Sequence, residues 1–438
     1  MPRKFSKQRP KGNVGRLRHG ARAMKRPTII SLFTGAGGLD YGFEAAGFET
    51  AVAVEWDHAC CETLRRNRSW PVIERSIHQV PAEEMLETAG LKPGDASLLI
   101  GGPPCQPFSK SGYWARGDSK RLQDPRADTL GAYLRILAEA RPHAFLLENV
   151  GGLAYSEKDE GLRLILDQIE RINRKHKTRY RPSFRLLNAS HFGVPQLRER
   201  FFIVGARDGT TFRFPEPTHG QGANDGLLLL PGSPPREPLR TAWDAIGDLP
   251  EDGDGEDLAM RGKWAGLLPS IPEGKNYLFH TNRGGGLPLF GWRRRYWNFL
   301  LKLAKDQPSW TLQAQPGPSV GPFHWKSRRL SISELCRIQT FPDGLGITGE
   351  RTEAQRQVGN AVPSLLAEVL ARSIREQLLG EPAIGRKPKL LPPVRRPRPL
   401  PESPQPVPAS FQQLAGDHEA HPGTGRGYGA IVRSAAEG

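Results

Sequence analysis

Between residues 28 and 205, short apolar runs alternate with stretches of helical periodicity, and most of the runs stop at glycine or an acidic residue. Thr28 to Phe33, Ala51 to Val54, Val72 to Ile77, Ala96 to Ile100, Ala144 to Leu147 and Phe201 to Val204 have strand length and read as buried strands. Between them, Leu39, Phe43 and Ala46 recur at helical spacing, and Leu130 to Ala140 has helix length. Parallel neighbours in a sheet need a crossover, usually a helix, so this alternation predicts an α/β domain with a mostly parallel sheet. Ligands of such sheets bind beyond the carboxyl ends of the strands. The residues just after each run are therefore where function should be sought.

The first run is followed by Thr34-Gly-Ala-Gly-Gly38, and the second ends at Glu55, twenty residues beyond Gly35. A glycine turn between strand and helix lets a ligand approach the backbone at the helix N-terminus, and an acid at this spacing is placed to accept hydrogen bonds from ribose hydroxyls. The dinucleotide fingerprint is incomplete, because its third glycine would fall at Asp40. The pattern implies an adenosine-containing cofactor without demanding a pyrophosphate, and the missing glycine speaks against a nicotinamide dehydrogenase. Trp56 could face a cationic sulfonium and Phe33 could pack on an adenine. The plainer reading of the glycines is an ordinary loop.

Gly101-Gly-Pro-Pro-Cys105-Gln-Pro-Phe-Ser109 follows the fourth run. Prolines around one cysteine fix φ and remove backbone donors, which suits a thiol held still at a strand end; the plainer reading is a small buried hydrophobe. The polar stretch Lys110 to Asp128 has the length of a functional or mobile loop. The next strand ends in Glu148, beside the strand bearing Cys105 if the order is simple. Gln196, Arg198 and Arg200 alternate before the last run, so an extended backbone projects all three to one face. Cys60, Cys61 and Cys336 read as packing residues.

Four cysteines, two of them adjacent, do not form a disulfide framework, and no apolar run approaches bilayer length. A cytoplasmic protein without membrane contact is expected. The formal charge of +16 draws polyanions, nucleic acid first among them. Part of it is a matter of tails: residues 1–30 carry ten Lys or Arg and no acid. Residues 1–27 are expected to be a disordered basic arm, and 28–205 a catalytic and cofactor-binding domain. From 206 to 328 glycine, proline and polar residues dominate, and aromatics interleave with arginines in Trp292-Arg-Arg-Arg-Tyr-Trp297. This suits phosphate contact with base reading or stacking, although Trp297 and Leu300 to Leu303 also fit a surface helix. Arg329 to Asp343 reads as a helix capped by Ser331 or Ser333, and Gln357 to Pro363 opens an apolar helix to about Leu379. Ten prolines between Pro382 and Pro408 mark residues 381–438 as a disordered tail.

The ordered series Phe33-Thr-Gly-Ala-Gly-Gly-Leu39, Glu55-Trp56, Pro103-Pro-Cys-Gln-Pro-Phe-Ser109, Glu148-Asn-Val150, Gln196-Leu-Arg-Glu-Arg200, the Arg329 to Asp343 helix and Gly359-Asn-Ala-Val362 resembles the DNA (cytosine-5) methyltransferases of bacterial restriction-modification systems. The resemblance covers residues 28 to about 205 and 329 to about 375. It implies a class I methyltransferase fold, Rossmann-like with a mostly parallel sheet, that binds S-adenosylmethionine. It also implies a smaller target-recognition domain at 206–328 and a hinge and C-terminal helix at 329–380 that return to the catalytic domain. Phe33, Gly35, Gly37, Gly38, Leu39, Glu55, Trp56, Ser76, Ile77, Pro103, Asn360 and Val362 would form the cofactor site. Ser76 departs from the family, which usually has an acid there.

The resemblance further implies that Cys105 attacks C6 of an extruded cytosine, that Glu148 serves N3, that Arg200 holds O2, and that Arg198 takes a phosphate. Double-stranded DNA would be the partner, the enzyme would act as a monomer, and a cognate restriction endonuclease is possible. A tRNA cytosine-5 methyltransferase and a non-catalytic DNA-binding module remain the alternatives.

Overall fold

A computed structural model describes residues 26–104, 128–150, 160–220, 235–253, 255–292, 295–416 and 418. The expected alternation is present. Strands β1 (Thr28–Leu32), β2 (Glu49–Glu55), β3 (Val72–Glu74), β4 (Leu98–Gly101), β5 (Ala144–Asn149), β6 (Ser183–Asn188) and β8 (Glu199–Ala206) form one sheet in the order β3-β2-β1-β4-β5-β8-β6. Every pairing from β3 to β5 is parallel, and β8 runs antiparallel between β5 and β6. Strand β7 (Gln196–Leu197) pairs instead with β9 (Ser309–Trp310), far along the chain.

Helices α1 (Gly38–Ala45), α2 (His58–Asn67), α3 (Ala82–Thr88), α4 (Asp128–Ala140) and α5 (Glu160–His176) connect the strands. Each sheet face carries its own apolar layer. Ile30, Leu32, Val54 and Leu99 pack towards α3, α4 and α5, and Ile29, Leu98, Ile100 and Leu146 towards α1 and a late helix. Strands buried on both faces read as continuous apolar runs, which is why they were legible.

The antiparallel β8 matters to the site. A parallel strand would deliver its far end to the functional edge; β8, running the other way, brings its first residues there. Glu148 of β5 consequently pairs with Phe202, and Arg200 lies at the same edge.

Beyond β8 the chain forms little regular structure. Helix α6 (Ala242–Ile246), two 3-10 turns and β9 are what the described part of 206–328 contains, and the helix considered around Trp297 to Leu303 is absent. Helices α7 (Ile332–Ile338), α8 (Arg351–Asn360) and α9 (Ser364–Leu378) follow, and then the short α10 (Ala409–Gln412). Ser331 is the cap of α7, with Glu334 completing a reciprocal capping box. Three expectations are corrected. The third strand ends at Glu74 rather than Ile77. Gln357 to Asn360 close α8 rather than open the last helix, because Pro363 lacks an amide donor and holds Val362 extended. Residues 381–416 are not a disordered tail: they run along the molecule, with Leu390 and Leu391 against the core beneath the sheet and Phe411 inside a second core built around Leu267, Tyr277 and Phe299.

Candidate active site

The carboxyl ends of β1, β2, β4 and β5 open onto a cavity of about 530 Å³, within the size range of cofactor sites. Phe33, Gly35, Gly38, Leu39, Glu55, Trp56, Pro103, Asn360 and Val362 line it, together with Glu148 and Arg200. Two ends can be distinguished.

At the first end the turn after β1 is tightly shaped. Phe33 adopts a left-handed φ of 53°, costly for a bulky side chain and sustained only where its surroundings demand it. Gly35 follows at φ 55°; a Cβ placed on it would meet nothing within 4 Å, so its backbone faces open cavity. Its amide donates to Glu55 Oε2 at 2.7 Å, while Trp56 and Asp57 amides donate to Oε1 at 2.9 Å each. Burial pushes the Glu55 carboxyl up against these three donors. Glu55 thus fixes the turn while lining the cavity, and of the roughly four lone-pair sites on its carboxylate one on Oε2 is left over. Trp56 beside it is 72% exposed. A glycine turn open to the cavity, a buried carboxylate acceptor and an exposed indole are a fitting set for an adenosine bearing a sulfonium.

Gly37 takes a backbone role: at φ 86° it caps α1 and faces Tyr41 and Leu64 rather than the cavity. Ser76 and Ile77, expected at the adenine, do not line the cavity. Ser76 caps a 3-10 turn, and Ile77 is buried in the core, because β3 has already ended. Two charged residues were not singled out from the sequence. Asp57 caps α2 and pairs with Arg356 of α8 at 2.9 Å, and both line the cavity, as does Asp40, the residue that breaks the glycine fingerprint. Asp57 was recognisable as an N-cap before a helix. Arg356 carried no local signal.

At the second end Glu148 Oε1 meets Arg200 Nε at 2.9 Å, both largely buried. A Cβ on Gly102 would stand 2.5 Å from Glu148 Oε2, so a side chain there would have to displace this carboxylate from its place. Burial raises the Glu148 carboxyl, and the Arg200 and Arg198 charges work against that rise. Burial lowers Arg200. A carboxyl so held can keep or donate a proton to a polar ring placed against it.

The alternation of Gln196, Arg198 and Arg200 is as expected, but the shared face points inward. Arg198 is 1% exposed and donates to Leu312 O at 3.2 Å and Gly359 O at 2.7 Å. Burial depresses its guanidinium well below the ordinary value. The phosphate contact expected of Arg198 is therefore corrected: it is a buried strut tying the sheet to the segment at Leu312 and to α8, since a guanidinium enclosed with carbonyl acceptors cannot reach a DNA backbone. Cys105 and the residues after it up to 127 lie outside the described residues, as do the arm up to residue 25 and the tail beyond 418. Pro103 and Pro104, immediately before Cys105, line the cavity. Cys60, Cys61 and Cys336 are buried, as expected of packing residues, although Cys60 touches the cavity wall. Among the described residues no helix is long and apolar enough to cross a membrane.

This sheet, with its cofactor-type turn after the first strand, is that of the class I S-adenosylmethionine-dependent methyltransferases. The C-5 cytosine-specific DNA methylase family matches residues 27–376, and the chain belongs to it. It is 43% identical over 373 residues to the type II methyltransferase M.SacI of Streptomyces achromogenes, covering 80% of this chain and 93% of that protein. It is 45% identical over 238 residues to the type II methyltransferase M.AquIA of a Picosynechococcus strain, covering 53% of this chain and 93% of that one. Among solved structures, a Spodoptera frugiperda DNMT2 variant superposes with a TM-score of 0.54 at 16% identity, covering 79% of this chain and 99% of that chain. That likeness concerns the fold alone. The protein is a DNA (cytosine-5) methyltransferase of restriction-modification type, with S-adenosylmethionine as its methyl donor.

Proposed function

We propose that the protein methylates C5 of a cytosine extruded from a specific sequence of duplex DNA, through a transient bond between Cys105 and C6, and protects DNA from a cognate endonuclease. The observation that carries this is the buried Glu148–Arg200 pair at 2.9 Å, in the cavity whose wall includes the two residues before Cys105.

Cytosine C5 is a poor nucleophile until something adds at C6, and a thiolate is intrinsically suited to that addition. The thiolate sulfur of Cys105 bonds to C6, and the ring charge is taken up at N3 by a proton or hydrogen bond from Glu148. Arg200, paired with Glu148, holds the cytosine O2. Gly35, Glu55 and Trp56 would hold S-adenosylmethionine, which would supply an electrophilic methyl group. C5 would take that methyl as its bond to sulfur breaks and a neutral thioether leaves; a base then removes the C5 proton, the electron pair expels the Cys105 thiolate and restores the ring double bond, and N3 returns its proton to Glu148. A stacked base cannot reach the cavity, so the cytosine is flipped out at a cost of a few kcal/mol. Asn360 and Val362, next to the first end of the cavity, complete the cofactor site, and the enzyme acts as a monomer.

Cys105→Ser is expected to abolish transfer of labelled methyl to DNA while S-adenosylmethionine binding survives. Wild type should also form a denaturation-resistant complex with 5-fluorocytosine DNA that the variant does not form. Retained turnover in the variant overturns the thiol mechanism. Bisulfite sequencing of DNA from expressing cells identifies the target cytosine.

A further inference from the structure

The recognition segment presents an aromatic pair that neither the sheet nor the cofactor cavity uses. Trp297 and Trp310 meet edge to face with ring centroids 5.5 Å apart and keep 53% and 36% exposure. Tyr296 beside them is 83% exposed. Large rings left in water mark a surface that a partner covers.

Their placement is tied to the chemistry. Trp310 ends β9, in register with Leu197 of β7, three residues before Arg200. Thr311 Oγ1 donates to Leu197 O at 2.6 Å, Arg198 donates to Leu312 O, and the chain then reaches the cavity wall at Ala314 and Gln315. Trp297 is held through its carbonyl, which accepts from Asn276 Nδ2 at 2.6 Å. The adjoining chain is basic: Arg295, exposed next to Tyr296, carries its guanidinium over the Phe299 ring at 5.6 Å, and Trp292, five residues before Trp297, has Arg283 over its ring at 5.0 Å. An aromatic surface flanked by guanidinium groups and coupled to the cavity suits a polyanion that offers flat rings, which is DNA at a site of disrupted stacking.

We propose that Trp297 and Trp310 form a brace in which one indole, supported edge to face by the other, stacks against the purine left unpaired when the target cytosine leaves the helix, replacing part of the stacking lost on extrusion. The proposal rests on the base-extruding reading of the active site.

The test uses the full chain as wild type, Trp297→Ala, Trp310→Ala and Trp310→Phe, on duplexes containing the mapped target. With 2-aminopurine in place of the target cytosine, a rise in fluorescence on adding wild type reads extrusion itself. With 2-aminopurine in place of the opposing purine, quenching reads the brace. Wild type should quench; the alanine variants should lose the quench and roughly ten-fold or more in kcat/KM for DNA, with KM for S-adenosylmethionine unchanged, as expected when stacking on one base is lost. Trp310→Phe should recover most of both. Extrusion by wild type, with alanine variants that quench and turn over as wild type does, overturns the brace alone. No extrusion by wild type overturns the base-flipping reading and the brace with it.

Discussion

Asp40 shows how a single residue can be both legible and misread. In the sequence it stood where a dinucleotide site needs glycine. In the structure it is fully buried, accepting from Ser31 Oγ at 3.0 Å and Thr50 Oγ1 at 3.1 Å, and Ser31 Oγ lies 3.1 Å from Thr34 Oγ1. This network joins β1, the glycine turn, α1 and β2 beneath the cavity. Burial, aided by the Glu44 charge one turn on, raises the carboxyl from 3.8 to about 7 against the two hydroxyl donors. The folded protein therefore binds this proton more tightly than the unfolded chain does. The stability it contributes is complete below about pH 4, shrinks as pH rises, and is gone above about pH 7. Asp40→Asn keeps an acceptor and cannot ionise. We expect its melting temperature to fall less between pH 5 and 8 than that of wild type, measured by thermal unfolding at constant ionic strength; equal slopes would assign the pH dependence elsewhere. The buried Glu148–Arg200 pair differs in kind, since each partner offsets the other's burial and removing either strands a charge.

Among the elements, the contact between α1 and α9 brings the C-terminal part of the chain back onto the cofactor site. A Cβ on Gly42 would stand 2.3 Å from Ser364 O and 2.4 Å from Ala367 Cβ, and one on Gly38 would stand 2.4 Å from Val362 O. The two helices touch backbone to backbone, and that closeness sets Val362 against the cavity. Alanine in a helix gains about 1 kcal/mol over glycine, whereas overpacking a core costs about 1–3 kcal/mol and more where backbone must move. The clash wins here because two of the three nearest atoms are backbone. Gly42→Ala should lower stability by about 1–2 kcal/mol in denaturant unfolding and raise KM for S-adenosylmethionine more than it lowers kcat. A stabilised variant would show that propensity dominates and the helices can part. No local pattern revealed this pairing: Gly38 suggested a ligand turn and Gly42 carried no reading at all, and their use in admitting a helix more than three hundred residues away in sequence depends on the folded chain.

At the scale of the whole molecule, residues 381–416 act as a strap. The Glu368 carboxylate of α9 accepts the Lys389 and Leu390 amides at 2.6 and 2.9 Å. Further on, the Arg395 amide donates to Asp244 Oδ1 at 2.9 Å, and the Arg395 guanidinium pairs with Asp248 at 2.6 Å. Lys305, buried with Glu273 at 2.6 Å, reaches Glu402 at 3.3 Å. Phe411 stacks on Trp264 at 5.8 Å in the second core. The strap thus crosses from α9 to the described part of residues 206–328, which has little regular structure to stabilise it. Truncation after residue 380 should speed limited proteolysis within 206–328 and weaken DNA binding at least several-fold, with cofactor affinity nearly unchanged. Equal proteolysis rates would make the strap dispensable. Its proline content hid it: proline-rich sequence reads as disordered because it forms no helix or ladder, yet an extended chain can be fixed by side-chain anchors alone.

The sequence by itself determined the buried parallel strands, their alternation with helices, the cofactor turn and the placing of Glu148 at a strand end, since strands buried on both faces are written as apolar runs and the groups at their ends follow directly. Tertiary structure alone decided which arginine faces the cavity, how Arg356 and Val362 come to its wall, and that the tail is a strap. Those outcomes turn on the antiparallel entry of β8 and on contacts between segments hundreds of residues apart, where burial rather than local preference sets the free energy.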